Sequence, residues 1–383
     1  MKNNTGNLSG SDRVSAMAAT PRFYAELLEN IRFIALSINL PSPSNSTTKL
    51  DLNSPCLINL HHDGKSMLLN LPGNVTPAAG LALRICKPGE QTLCYRLPVL
   101  PSRPLPAETE NYVPWTAMEL NKEATTLFNC RVCRTEVIPK NRIKTWKDLP
   151  SGNWEEMMDF WHCHRPDESH RHIDRPRYAP LQQGYVAESG TALVDLTYFL
   201  LAEADCSEAV EVTEPIMAKG DPHVLHCKSC KSILGVVDKK PSGDDSSGAS
   251  RGWTLYKWAL CDEKSKTLPM QCLLAAQLID LADNGTRRII FSAQEVKLRV
   301  WVFSTDTHYT SSDTNRAIRA VKVFWQPGAG DKGGMMSIEG FEEVAIHKQL
   351  LEGLKEAVER GDQKYGEWKV GMVERFEERS DAM

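Results

Sequence analysis

Apolar and polar residues first alternate at Ile34, Leu36, Ile38 and Leu40, the period-two pattern of a strand with one buried face. A polar, Pro/Ser-rich break follows at 41–48. Apolar runs at 57–60 and 67–71 flank Asp63-Gly64, a strong hairpin signal. Runs at 81–85 and 92–97 flank Pro88-Gly89 and predict a second hairpin, before a proline-rich connector at 98–110. The first part of the chain reads as antiparallel β, a sandwich or open barrel.

Further on, short apolar runs bracket cysteines. Leu127 and Phe128 lead into one pair, and Val137 and Ile138 leave it. Val224 and Leu225 lead into another, and Ile233, Leu234, Val236 and Val237 leave it. Between the pairs, Trp154, Met157, Met158 and Trp161 share one helical face behind Asn153 as N-cap. Segments 185–187, 192–201 and 253–260 read as strands. Pro269 opens a helix that Asn284-Gly285 closes. Strands are predicted at 287–291, 296–303 and 317–325. An amphipathic helix follows at 346–360, carrying Leu350, Leu351, Leu354 and Val358 and capped by Gly361. The tail, with Trp368, Val370, Met372, Val373 and Phe376, is apolar enough to dock back. The fold class is therefore α+β: mostly antiparallel β-sheets with few helices, one of them amphipathic and C-terminal. The expected organisation is a disordered tail at 1–22, a β-rich region at 23–237, a flexible loop at 238–252 and an α+β region at 253–383.

Composition narrows the function. At 383 residues the chain can bury one large core or two modest ones. Its formal net charge of −4 offers no bulk attraction to nucleic acid, so no direct nucleic-acid partner is expected. No apolar run is long enough to span a membrane. Eleven cysteines without a secretory signal suggest a reducing compartment, nucleus or cytoplasm.

The cysteine spacing is the strongest chemical signal. Cys130 and Cys133 form one Cys-x-x-Cys and Cys227 and Cys230 another. Each sits in a strand–turn–strand context, and two such pairs complete the S4 shell that a structural Zn2+ prefers. Such an ion would close a very long loop and pin the fold. Ordinary buried thiols and disulfides are the alternatives. Redox chemistry is disfavoured, because neither pair opens a helix in a βαβ unit.

A second constellation is Trp161-His162-Cys163-His164. Cys163 is open to three readings: a nucleophile activated by a neighbouring His, a metal ligand together with His164, or a small core residue at a helix end. His164, His170 and His172 read as a metal cluster or, in preference, as a solvated basic loop, and His226 as a spare ligand beside four sufficient thiols. There is no P-loop, dinucleotide fingerprint, Gly-x-Ser-x-Gly or kinase signature.

Together these residues resemble the HECT-like ubiquitin-conjugating-enzyme-binding family, in a fungal form. The match runs through Cys130 and Cys133, then Trp154, Asp159, Trp161, Cys163 and His164, then Cys227, Cys230, Leu234 and Gly235, with the typical Leu-Tyr-Lys-Trp run from Leu255 to Trp258. The resemblance implies two functions. One is ubiquitin-protein ligase activity, with a charged ubiquitin-conjugating enzyme bound through about 253–272. The other is binding, and holding inactive, the metallo-β-lactamase-fold endonuclease of pre-mRNA cleavage and polyadenylation. In that reading the peptide bearing Trp154, Asp159, Phe160, Trp161, His162, Cys163 and His164 contacts the nuclease. Cys163 and His164 enter its two-zinc site. A HECT ligase carries a thioester on a cysteine near its C-terminus, yet no cysteine follows Cys272 here. Covalent transfer would fall to Cys163, Cys261 or Cys272, and the chain's own chemistry favours the binding role.

Overall fold

The computed structural model describes residues 20–84, 87–100, 111–123, 126–149, 186–213, 223–239, 250–293, 296–328, 340–361 and 363–377. The helix predicted behind Asn153, almost all of the tail at 1–22 and most of the loop at 238–252 lie outside them. Within them the class is α+β, with four helices and mostly antiparallel sheets.

The chain divides into two compact units, Met1–Pro106 with Thr307–Ile318, and Ala107–Asp306 with Arg319–Met383. In the first, β1 (Arg22–Leu28), β2 (Phe33–Asn39) and β6 (Thr92–Pro98) form a sheet with the returning segment at 307–311. A second sheet comprises β3 (Lys49–Ser54), β4 (Leu57–His62) and β5 (Lys65–Asn70). Alternation puts Ile34, Leu36 and Ile38 in one buried cluster with Leu50, Ile58 and Leu69 from the second sheet. The β4–β5 hairpin turns at Asp63 and Gly64, with φ of 48° and 74°. Two successive positive φ values give the type I′ twist that matches flanking strands. The hairpin expected at 81–85 does not form. Those residues begin with α1 (Ala79–Leu83), where Ala79 and Leu83 are buried and Leu81 is 65% exposed. Burial at i and i+4 is helical spacing, and the short Leu/Ala run reads equally well at period two.

In the second unit, α2 (Ala117–Lys122) starts with a capping box between Thr116 and Glu119. A three-stranded sheet contains β7 (Phe128–Cys130) and β8 (Glu136–Ile138). A larger one begins with β9 (Thr145–Asp148), β10 (Thr191–Val194) and β11 (Tyr198–Leu201). The single strand expected at 192–201 is thus two, because the Asp195 carboxylate accepts from the Thr197 amide at 2.8 Å and folds the chain back. The sheet continues with β12 (Val210–Thr213), β13 (Val224–Cys227), β14 (Ile233–Lys239) and β15 (Ser250–Tyr256). β14 pairs antiparallel with β15, so the chain on both sides of the 238–252 loop belongs to one unit. After a 3-10 turn at Lys257–Ala259, β16 (Leu260–Asp262) joins β7.

α3 (Met270–Asp283) starts after Pro269 and is buried on two sides. Leu273 and Ala276 enter the cluster around Phe128 and Phe199, and Leu274, Leu278 and Ile279 enter a second cluster. That second core lies under β17 (Arg288–Ala293), β18 (Val296–Ser311) and β19 (Ile318–Pro327), against α3 and α4 (Lys348–Glu359). β20 (Glu342–Ala345) runs parallel to β17. The tail docks as expected: after β21 (Lys364–Tyr365), β22 (Trp368–Glu374) pairs with β19 and buries Val370 and Val373.

Candidate metal centre

The two cysteine pairs are built alike. In each, a strand ends on the first cysteine and a tight turn brings the chain back. Cys130 N donates to Thr135 O at 2.8 Å and Arg134 N to Cys130 O at 2.9 Å. Cys227 N donates to Ser232 O at 2.9 Å and Lys231 N to Cys227 O at 2.8 Å. Arg134 and Lys231 both take a left-handed backbone, with φ of 64° and 59°. The shared hexad is Cys-basic-x-Cys-basic-hydroxyl, Cys130 to Thr135 and Cys227 to Ser232.

The turns meet sulfur to sulfur. Cys130 Sγ lies 3.6 Å from Cys230 Sγ, and Cys133 Sγ 3.4 Å from Cys227 Sγ. All four sulfurs fall within 4.8 Å of one another. A disulfide needs about 2.05 Å, which excludes that pairing. Four sulfurs at about 2.3 Å from a tetrahedral zinc stand about 3.8 Å apart, so this donor set fits a metal ion. Among the described residues these four cysteines are the cluster suited to one. His226 is not in it; its Nδ1 faces Thr213 Oγ1 at 3.1 Å.

The hydroxyls of the hexads escape a search confined to cysteine and histidine. Ser232 Oγ sits 3.3 Å from Cys130 Sγ and 3.0 Å from Cys230 Sγ, bridging the two pairs. Thr135 Oγ1 stands 3.2 Å from Cys133 Sγ. The repeated Cys-x-x-Cys-x-[Ser/Thr] pattern is the signal that reveals them. Burial pushes the Cys130 thiol up and the Cys227 thiol to about 11. Burial also opposes ionisation of Cys133, but its hydrogen bonding with the Thr135 side chain and backbone outweighs it and brings that thiol to about 6. The Ser232 hydroxyl lowers Cys230. Each pair therefore offers one thiol tuned toward thiolate, and a bound cation would ionise the other.

The remaining predicted site residues divide sharply. Trp154, Asp159, Phe160, Trp161, His162, Cys163 and His164 lie outside the described residues. Cys261 is fully buried on β16, its Sγ 3.6 Å from Asn129 O and 3.7 Å from Cys130 O, directly behind the first knuckle. Cys272 is 6% exposed on α3. The Leu255–Trp258 run is largely core: Leu255 is 0%, Lys257 1% and Trp258 8% exposed. Lys257 lies 5.3 Å from the Phe199 ring centroid and 3.4 Å from Pro114 O. Burial lowers its ammonium to about 8 against the pull of Asp195, Glu119 and Asp148. Within 253–272 the exposed residues are Pro269 and the turn at 263–266, which is closed by Lys266 N donating to Asp262 Oδ1 at 2.7 Å.

The scaffold is α+β, and it gathers four thiols from two knuckles into a candidate metal site. The chain belongs to the HECT-like ubiquitin-conjugating enzyme (E2)-binding family, whose profile matches residues 26–364. It is similar to the uncharacterized protein C1734.10c of Schizosaccharomyces pombe, 26% identical over 302 residues, 73% of this chain and 82% of that protein. It is also similar to the uncharacterized protein YJR141W of Saccharomyces cerevisiae, 24% identical over 267 residues, 67% of this chain and 71% of that protein. Both relatives are fungal. No solved structure matches the chain.

Proposed function

We propose that this chain is a zinc-pinned binding protein that engages a ubiquitin-conjugating enzyme without taking ubiquitin onto its own core thiols. The observation that carries this reading is the burial of Cys261 and Cys272, at 0% and 6% exposure. A thiol enclosed in the core cannot reach a thioester held on another protein, and burial also disfavours the thiolate that would attack it. Cys130, Cys133, Cys227 and Cys230 are gathered around one point, suited to a structural ion. Zn2+ is the ion such an S4 set selects, and it would tie together segments 100 residues apart in sequence.

The exposed turn at 263–266, with the exposed Pro269, is the part of the 253–272 region most available to a partner. The test is titration of the chain, zinc content verified, against a panel of ubiquitin-conjugating enzymes by calorimetry. One member should bind, and the double variant Lys264→Glu/Lys266→Glu should weaken it. A panel with no binder, or affinity indifferent to that variant, sinks the reading. Chelation of the metal should abolish binding together with the fold.

A second reading keeps the Trp161-His162-Cys163-His164 peptide as a plug for the two-zinc site of the cleavage and polyadenylation endonuclease. With Cys261 and Cys272 in the core, Cys163 is what remains of the three candidate thiols read from the sequence, and its sequence neighbours on both sides are histidines. Thiolate and imidazole are good zinc ligands. Cys163→Ala should leave folding intact and weaken nuclease inhibition. Full inhibition by that variant would end this reading without touching the first.

A further inference from the structure

The outward face of the β17–β18–β19–β22 sheet carries an aromatic surface that neither reading uses. On β18, Leu298, Val300 and Val302 enter the core, so Arg299, Trp301 and Phe303 point the other way. Six rings connect there: Trp301, Phe303, Phe324, Phe341, Tyr365 and Trp368. Phe324 is 5% exposed and lies 4.9–5.3 Å from Phe303, Trp301 and Tyr365. Around it Phe303 is 52% and Tyr365 67% exposed. None of the six belongs to the three buried cores. A contiguous exposed patch of this kind marks an interaction surface.

Its charge identifies the occupant. Arg288, opposite Trp301 across the β17–β18 ladder, lies 5.5 Å from that ring, and Lys322 lies 5.7 Å from the ring of Phe303. Arg299 lies two residues before Trp301 on the same strand face. Among the described residues, Arg288 and Arg299 have no carboxylate partner. Planar rings and guanidiniums on an open sheet, with cations at ring distance, suit a ligand of alternating flat bases and phosphates. An acidic peptide would use the cations and leave most of the rings without a role. A duplex hides its bases from the rings, whereas an unpaired strand splays them out.

We infer that the outward face of the β17–β18–β19–β22 sheet binds single-stranded nucleic acid, with Phe303 and Tyr365 stacking on bases and Arg288 and Arg299 holding phosphates. The test is fluorescence anisotropy of the full, metal-loaded chain with labelled oligouridine and oligothymidine of about 12 nucleotides, a length within known single-strand site sizes. A duplex of the same length and a polyglutamate competitor complete the set. The expected result is single-strand binding, weaker binding of the duplex, and a loss of about tenfold or more in Phe303→Ala/Tyr365→Ala, the worth of a stacked base. Arg288→Gln/Arg299→Gln should reduce the slope of log affinity against log salt by about 1.4, two phosphates' share for a single strand. Oligouridine bound more tightly than oligothymidine would make the ligand RNA, and the reverse DNA. Phe303, Tyr365 and Arg288 are exposed and Arg299 is half-buried, and melting curves matching the wild type will show that the variants fold. No single-strand binding, equal binding by both variants, or displacement by polyglutamate at matched charge overturns the assignment.

Discussion

Two side chains decide how the second unit's core behaves, and neither is a metal ligand. Ser232 places one hydroxyl against sulfurs from both knuckles. Groups that hydrogen-bond metal ligands typically contribute 10–100-fold to affinity. Ser232→Ala should therefore lose zinc to a chelator at about tenfold lower concentration, read with a colorimetric zinc indicator; unchanged retention would refute that role. Lys257 is the second case. Its folded-state value of about 8 lies below the ordinary 10.5, so between those values the unfolded chain holds more protons and stability rises with pH. Below pH 8 the charged, buried ammonium is a full liability. Lys257→Met should accordingly be more stable than wild type at pH 7, by an amount on the order of 1–3 kcal/mol, and the gain should fade as pH climbs from 8 toward 10.5. Urea titrations of both proteins across that range check it; a gain independent of pH would contradict it. Nothing in the sequence reveals this burial. A lysine between Tyr256 and Trp258 reads as an exposed strand residue, and the ring beneath it, Phe199, comes from another strand.

At the level of elements, period-two alternation and turn chemistry carried most of the reading. The Asp63-Gly64 hairpin, both knuckle strand pairs, the Pro269 helix and the docked tail all stand where the pattern puts them. The pattern failed where a short apolar run fits two periods, at 79–83, and where polar residues interrupt a long strand. β18 runs to Ser311, well past the Phe303 expected, because Ser304, Thr305 and Asp306 carry no apolar signal. Gly235 shows what the Leu-Gly dipeptide after the second knuckle is for. A Cβ there would lie 1.8 Å from Thr254 O, so only glycine lets β14 approach β15. Gly235→Ala must break the pairing at Leu255 and loosen the second knuckle with it. Its melting transition should drop by many degrees and its zinc content should fall in parallel. A variant melting like wild type would show that the two strands can separate freely.

For the whole molecule, the candidate metal centre was legible from spacing alone, since thiol pairs in turns carry their chemistry wherever the chain takes them. The compact units were not, because Thr307–Ile318 returns to the first unit from deep in the sequence of the second. Nor was the aromatic sheet face: a net charge of −4 averages over 383 residues and hides a local basic surface. The proposed noncovalent engagement of a conjugating enzyme rests on the burial of Cys261 and Cys272. The measurement is a non-reducing gel of the intact chain mixed with a ubiquitin-charged conjugating enzyme that binds it, beside Cys163→Ala, Cys261→Ser and Cys272→Ser. The expected result is no thiol-sensitive ubiquitin adduct on the wild type or on any variant, while the noncovalent complex persists. An adduct on the wild type that disappears in a single variant would identify a nucleophile and make the protein a covalent ubiquitin transferase.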